Sequence, residues 1–269
     1  MPKVKVNGIN IGYGVDGYGE PLILLMGFSG GRRHWFFQMH AFKKHYQVVT
    51  IDNRGVGDTD KPSESYDIEA MADDTIGVMN HLGIDKAHIL GTSLGGVIAQ
   101  EIAINYPERV RKLILASTHP GGSEMEEARS EMQRALGLGE SFSKEDIRSI
   151  DVMKFMSTVT ALAFNKRLYR LILVPLSRIY AKSIGFEGLM GQFEAVTGCN
   201  TLDRLHMIKA PTLVITGTED RVVPPLSSDV IASRIPNAKL VKLDGGSHAI
   251  QMEMSRRFNK EVLNFLKGG

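Results

Sequence analysis

This 269-residue sequence has one cysteine, one tryptophan and almost no net charge. Cys199 alone cannot close an internal disulfide, so the fold must stand on its core, which fits a reducing compartment. A formal charge of +2, from 32 basic and 30 acidic residues, gives no field that would gather nucleic acid. No run approaches the roughly 18 apolar residues of a membrane span. LILVPL, from Leu171 to Leu176, is short and interrupted by Pro175. The opening MPKVKVNGINIGYG lacks the continuous apolar core of a secretory signal. The expectation is a soluble, cytoplasmic protein with no nucleic-acid or membrane partner, as a monomer or small homo-oligomer.

What is present is a large apolar fraction, 43%, ample for a substantial core. The length suits one large domain, or one domain carrying an insertion. Lys3–Val6 and Ile9–Tyr13 read as strands around Asn7-Gly8, a strong two-residue hairpin signal. Leu22–Met26 and Gln47–Asp52 are compact apolar runs of the kind buried on both faces of a parallel sheet. Trp35, Phe36, Met39 and Phe42 recur at helical spacing between them. A second helical stripe runs from Ile68 to Leu82, capped by Asp67 and stopped by Gly83. Ala87–Leu90 is a strand, Leu94–Asn105 a helix, and Lys112–Ser117 a strand again. Such alternation predicts a mostly parallel, doubly wound α/β sheet of about eight strands.

Alternation stops near Gly121 and resumes with the strand Thr212–Thr216, the helix Leu226–Arg234, the strand Lys239–Leu243 and the helix Glu253–Leu266. Residues 1–120 and 200–269 therefore read as the α/β core, and 121–199 as an inserted all-helical lid. Within it, Lys166–Lys182 combines Arg167, Arg170 and Arg178 with Leu168, Leu171, Leu173 and Ile179. A membrane-surface helix has this composition. The simpler expectation is an apolar face on a pocket and a solvated basic face.

Gly91-Thr92-Ser93-Leu94-Gly95 has the spacing G-x-S-x-G between a strand and a helix. A sharp strand-to-helix turn strains the central residue, and neighbours bearing a Cβ would collide. The result is a hydroxyl held clear of the sheet at a helix N-terminus, where developing negative charge is favoured. A serine hydroxyl needs a base, and the base an orienting acid. Asp220 follows the strand TLVIT and His248 follows KLVKL, both at carboxyl ends of strands, where catalytic groups gather. Glu219 is the rival acid, and Asp244 belongs to the turn before His248. His34, His40, His45 and His81 fall on or beside helices, His88 opens a strand, and His206 precedes one. His119 starts the insertion and is a candidate pocket residue.

Together GFSGG (27–31), DNRGVGDTD (52–60), GTSLGG (91–96), GTEDRVVP (217–224) and GGSHA (245–249) make the chain resemble an α/β-hydrolase fold enzyme with a helical cap. The resemblance implies Ser93 as nucleophile, His248 as general base and then acid, and Asp220 as orienting carboxylate. It also implies an oxyanion hole from the backbone N–H groups of Leu94 and Phe28. Met26 stands where the commonest family pattern has His, and Ser29 where it often has Pro. Ser29 either adds a hydroxyl contact or only satisfies the turn.

Gly12-Tyr13-Gly14-Val15-Asp16-Gly17 matches the dinucleotide fingerprint G-x-G-x-x-G, but Pro21 and a strand follow instead of a helix, so no nucleotide is expected. Asp52, Asp58 and Asp60 miss the calcium-loop spacing, no Cys/His cluster has zinc spacing, and no metal or cofactor is expected. Arg54 is expected to make structural hydrogen bonds. Phe155, Met156, Phe164, Met190 and Phe193 are candidates for an apolar pocket, and Ser29, His119, Phe155 and Phe193 for substrate contact.

The function this implies is hydrolysis of a small-molecule carboxylic ester or lactone through an acyl-enzyme. Carbon–carbon bond hydrolysis, enol-lactone hydrolysis and cofactor-free perhydrolysis use the same triad, and a low-turnover receptor is the alternative of another class. A serine at the elbow argues against the haloalkane dehalogenases and epoxide hydrolases, which use a carboxylate nucleophile.

Overall fold

The computed structural model describes residues 2–122, 130 and 151–268. Eight strands form one sheet: β1 (Lys3–Val6), β2 (Ile9–Asp16), β3 (Pro21–Leu25), β4 (Gln47–Ile51), β5 (Ala87–Thr92), β6 (Val110–Ala116), β7 (Thr212–Gly217) and β8 (Lys239–Leu243). Their order is β1-β2-β4-β3-β5-β6-β7-β8. The pairs β1/β2 and β2/β4 are antiparallel and the rest are parallel. All eight expected strands are present. Asn7 (φ 48°) and Gly8 (φ 84°) make the hairpin turn. β2 runs three residues beyond the expected Tyr13, because Tyr13–Asp16 pair with Ile51–Val48 of β4. The glycine fingerprint therefore lies largely in a strand.

The apolar runs work because both faces of the parallel sheet are covered. Leu22 and Leu24 of β3 join Val48, Leu90, Ile114 and Leu213 on one face. That face is covered by Phe258, Val262 and Leu266 of helix Ser255–Lys267, one side of a helix at spacing i, i+4, i+8. Ile23 and Leu25 join Val49, Ile51 and Ile89 on the other, under helices Ile68–His81 and Leu94–Asn105. Each fully buried leucine contributes about 1.5–3 kcal/mol.

In chain order the α-helices used below are α1 (Phe36–Phe42), α2 (Ile68–His81), α3 (Leu94–Asn105), α4 (Val152–Ala163), α5 (Arg167–Gly198), α6 (Pro225–Arg234) and α7 (Ser255–Lys267). Asp67 caps α2 by accepting the N–H of Ala70. The expected Glu253–Leu266 helix is divided at Met254 into a single turn, Ile250–Glu253, and α7.

α4 and α5 lie between β6 and β7, and the chain leaves and rejoins the sheet through a bridge between Gly121 and Asn200. The expected helical block also takes in 123–129 and 131–150, which lie outside the described residues. α5 breaks at Gly185, where φ is 80°. Before the break, one expectation fails. Leu168, Leu171 and Ile179 are exposed rather than turned to a pocket. The inward side of α5 instead carries Ser177, Ala181 and Ile184, small or slim side chains that let it approach α4 closely. The leucines point the opposite way.

Candidate active site

Ser93 follows β5 at the N-cap position of α3 with φ 53° and ψ −121°, a left-handed backbone that costs an L-residue energy and persists only where its surroundings enforce it. They do. A Cβ on Gly95 would stand 2.1 Å from the carbonyl oxygen of Leu25. The elbow is also anchored by two bonds to β6 and the residues after it: Ser93 N–H donates to Ala116 O at 2.9 Å, and Thr118 Oγ1 donates to Ser93 O at 2.7 Å.

Asp220 and His248 are brought together from the loops after β7 and β8. His248 Nδ1 lies 2.8 Å from Asp220 Oδ2, and the Asp220 side chain is fully buried. The other oxygen, Oδ1, accepts from the N–H groups of Val222 and Val223 at 2.9 Å each. A carboxylate can only accept, so Nδ1 is the donor in this bond. The two loops approach closely because Gly217 has no side chain: a Cβ there would stand 2.2 Å from Gly246 O. The rival acid is engaged elsewhere, with Glu219 Oε2 accepting from Asn165 Nδ2 at 3.0 Å. Asp244 is exposed. Ser93, Asp220 and His248 thus all sit at the carboxyl edge of the sheet.

The loop after β3 abuts the serine, since a Cβ on Gly27 would stand 3.0 Å from Ser93 Cβ. Residues 27–30 form a tight turn closed by Gly30 N–H to Gly27 O at 3.0 Å, with Ser29 left-handed at φ 61°. Three side chains pin this loop. Asn53 Nδ2 donates to Met26 O at 2.8 Å, Gln192 Oε1 accepts from Ser29 N–H at 2.8 Å, and Asp52 Oδ1 accepts from Arg32 N–H at 2.7 Å. Gln192, wholly buried on α5, also donates Nε2 to Arg54 O at 2.8 Å. Ser29 is buried, and the bond that holds it is made by its backbone.

Arg54 is structural, as expected: it makes a two-pronged pair with Asp74 at 2.8 Å on each prong. The three loop aspartates diverge. Asp52 and Asp58 both hold Arg32, which keeps the Asp58 carboxyl below its ordinary range, and Asp60 accepts from Asn10.

The aromatic candidates do meet. Phe28 packs edge-to-face on Phe155 (5.7 Å between centroids), and Phe155 on Phe193 (5.8 Å), linking the turn to α4 and α5. Phe164 instead stacks on Tyr169. His119 is buried, and its Nδ1 accepts from Gly121 N–H at 3.1 Å, at the root of the inserted helices. The elbow between α4 and α5 reaches the histidine loop: Ala249 N–H donates to Ala163 O at 3.0 Å, and Lys166 N–H to Glu253 Oε1 at 2.7 Å.

Sequence reasoning missed Gln192, Asn53 and Asn165. For Gln192 a signal existed, a lone amide in the run Leu189-Met190-Gly191-Gln192-Phe193, where an uncharged polar group must find buried partners.

A family model described as alpha/beta hydrolase fold matches residues 20–254. The protein named "Putative carbamate hydrolase RutD" of Rhizobium rhizogenes is 30% identical over 255 residues, covering 92% of this chain and 93% of the relative. The enol-lactonase from Burkholderia xenovorans LB400 superposes with a TM-score of 0.83 at 25% identity, over 98% of this chain and 99% of that one. The meta-cleavage product hydrolase from Pseudomonas fluorescens IP01 gives 0.81 at 26% identity, over 99% and 97%.

Proposed function

The chain belongs to the alpha/beta hydrolase fold family, and on that footing we propose that it is a serine hydrolase acting on small carboxylic esters or lactones. The observation that carries the reading is the Asp220–His248 bond at 2.8 Å, at the same sheet edge as a left-handed Ser93.

In this reading His248 Nε2 takes the Ser93 proton as Oγ attacks the acyl carbon, forming the C–O bond of a tetrahedral adduct. Asp220, fixed by two backbone donors, holds the imidazole in the required tautomer and offsets the charge it gains. The N–H groups of Leu94 and Phe28 receive the oxyanion; removing one such donor typically costs about 10²–10³ in rate. Collapse breaks the acyl–alkoxide bond, and His248 returns its proton to the departing alcohol. Water, deprotonated by His248, then releases the acid and restores Ser93 Oγ–H. No cofactor enters this cycle. Residues 121–199 serve as a lid, with Phe155 and Phe193 walling the acyl side and Ser29 and His119 holding the pocket's rim.

The test is turnover of short- and medium-chain p-nitrophenyl esters, a lactone and a p-nitrophenyl carbamate, the last prompted by the name of the RutD relative. Wild type is expected to turn over esters or the lactone, with activity abolished in Ser93→Ala and His248→Gln. Turnover surviving in Ser93→Ala overturns the mechanism. Turnover of the carbamate alone overturns the substrate class.

A further inference from the structure

The first segment of α5, up to the break at Gly185, is apolar on two opposite sides. Its inward side packs with Phe155 and Met156 of α4 through Ala181 and Ile184. Its outward side carries Leu168, Leu171, Ile172, Leu176 and Ile179, each between 50% and 68% exposed. The spacing i, i+3, i+4, i+8, i+11 places these five on one face of a helix. Isolated exposed leucines are ordinary, but a contiguous stripe this long marks an interaction surface.

Charge identifies the partner. From Lys166 to Phe186 there are five cations, Lys166, Arg167, Arg170, Arg178 and Lys182, and no acidic residue. Among the described residues none of the five is paired with a carboxylate. Lys166 Nζ donates to Glu253 O and Arg178 Nε to Ser157 Oγ, neither of them a carboxylate oxygen. Two copies joined through this face would set cations against cations. An anionic surface of low polarity satisfies both features.

We propose that the outward face of α5 docks on an anionic lipid surface, with the five apolar side chains entering the headgroup boundary and Arg167 and Lys182 at its edge meeting lipid phosphates. The helix lies on the bilayer rather than crossing it, and among the described residues no helix is long and apolar enough to cross. The elbow that leads into α5 is bonded to the residue after His248, so docking sets the proposed active site beside the lipid phase. This inference does not depend on the proposed chemistry.

The experiment is flotation of the full chain with phosphatidylcholine vesicles, with and without phosphatidylglycerol, alongside Ser93→Ala. Wild type and Ser93→Ala are expected to partition about tenfold or more in favour of the anionic vesicles, and to lose that preference as salt rises. Leu171→Ser/Ile179→Ser and Arg167→Glu/Lys182→Glu change exposed positions. Each should keep the wild-type Tm and the turnover of a water-soluble ester, while losing vesicle partitioning by roughly fivefold or more. Equal partitioning on neutral vesicles, or binding unchanged by the Leu171→Ser/Ile179→Ser pair, overturns the proposal. A dimer in sedimentation velocity that this pair dissociates overturns it in favour of a second copy. Strong hydrogen-exchange protection of 168–179 in the lipid-free monomer overturns it in favour of this chain's own residues.

Discussion

Gln192 accepts the amide proton of Ser29 at 2.8 Å, so a helix inserted after β6 directly holds the turn that lies against Ser93. Ser29 is left-handed at φ 61°, a conformation the backbone leaves unless something restrains it. The same amide side chain donates to Arg54 O, tying the turn to the loop after β4. Gln192 therefore sets the plane of the Phe28–Ser29 peptide, next along the turn from the Gly27–Phe28 peptide that carries the proposed oxyanion donor.

Replacing Gln192 by leucine leaves Ser29 N–H without its partner, leaves Arg54 O only the longer bond from Tyr66 OH at 3.4 Å, and frees the turn. The expected outcome is a fall in kcat of about 10–100-fold with KM changed by less than threefold, because the loss falls on transition-state charge. Steady-state kinetics on the best ester check it, with binding of a boronic acid transition-state mimic weakened in parallel. An unchanged kcat would detach Gln192 from the oxyanion loop.

Asp74 stands behind this arrangement. Its carboxylate takes both prongs of Arg54, whose carbonyl receives Gln192, and both side chains are largely buried. Asp74→Ala leaves the guanidinium without its counterion and is expected to cost about 3–5 kcal/mol. Urea unfolding measures it. The double replacement Arg54→Met/Asp74→Leu should cost less than Asp74→Ala alone.

Stability should fall in mild acid. Burial lowers the pKa of both His34 and His88, outweighing the hydrogen bonds to Gly31 and Glu20 that work the other way. The unfolded chain then binds protons near the ordinary value of about 6.5 that the folded chain does not. Stability from these groups is present above that pH and is lost as pH falls through it. Thermal melts from pH 7.5 to 5 should show a declining Tm, and His88→Gln should flatten the decline. A pH-independent Tm over that range would contradict the assignment.

Much of this was legible in the sequence because it is local. The parallel strands announce themselves as apolar runs, the hairpin by Asn7-Gly8, and the serine elbow by its glycines. Asp220 and His248 were readable because each follows a strand that ends at the same edge. Braces were not legible: Gln192 reaches Ser29 across 163 positions, and no spacing rule connects an amide on a helix to one backbone N–H in a distant turn. The outward leucines of α5 misled for a related reason. Periodicity identifies an apolar face but not which of two faces the core takes, and Ser177 and Ala181 took the inside because small residues let helices close up.

The measurement that tests the central claim most directly is mass mapping after exposure to a fluorophosphonate, which phosphonylates an activated serine. The account predicts one adduct per chain, on the peptide bearing Ser93, absent in Ser93→Ala and formed at least about 100-fold more slowly in His248→Gln. No adduct on wild type, or an adduct on another residue with Ser93→Ala fully active, would contradict it.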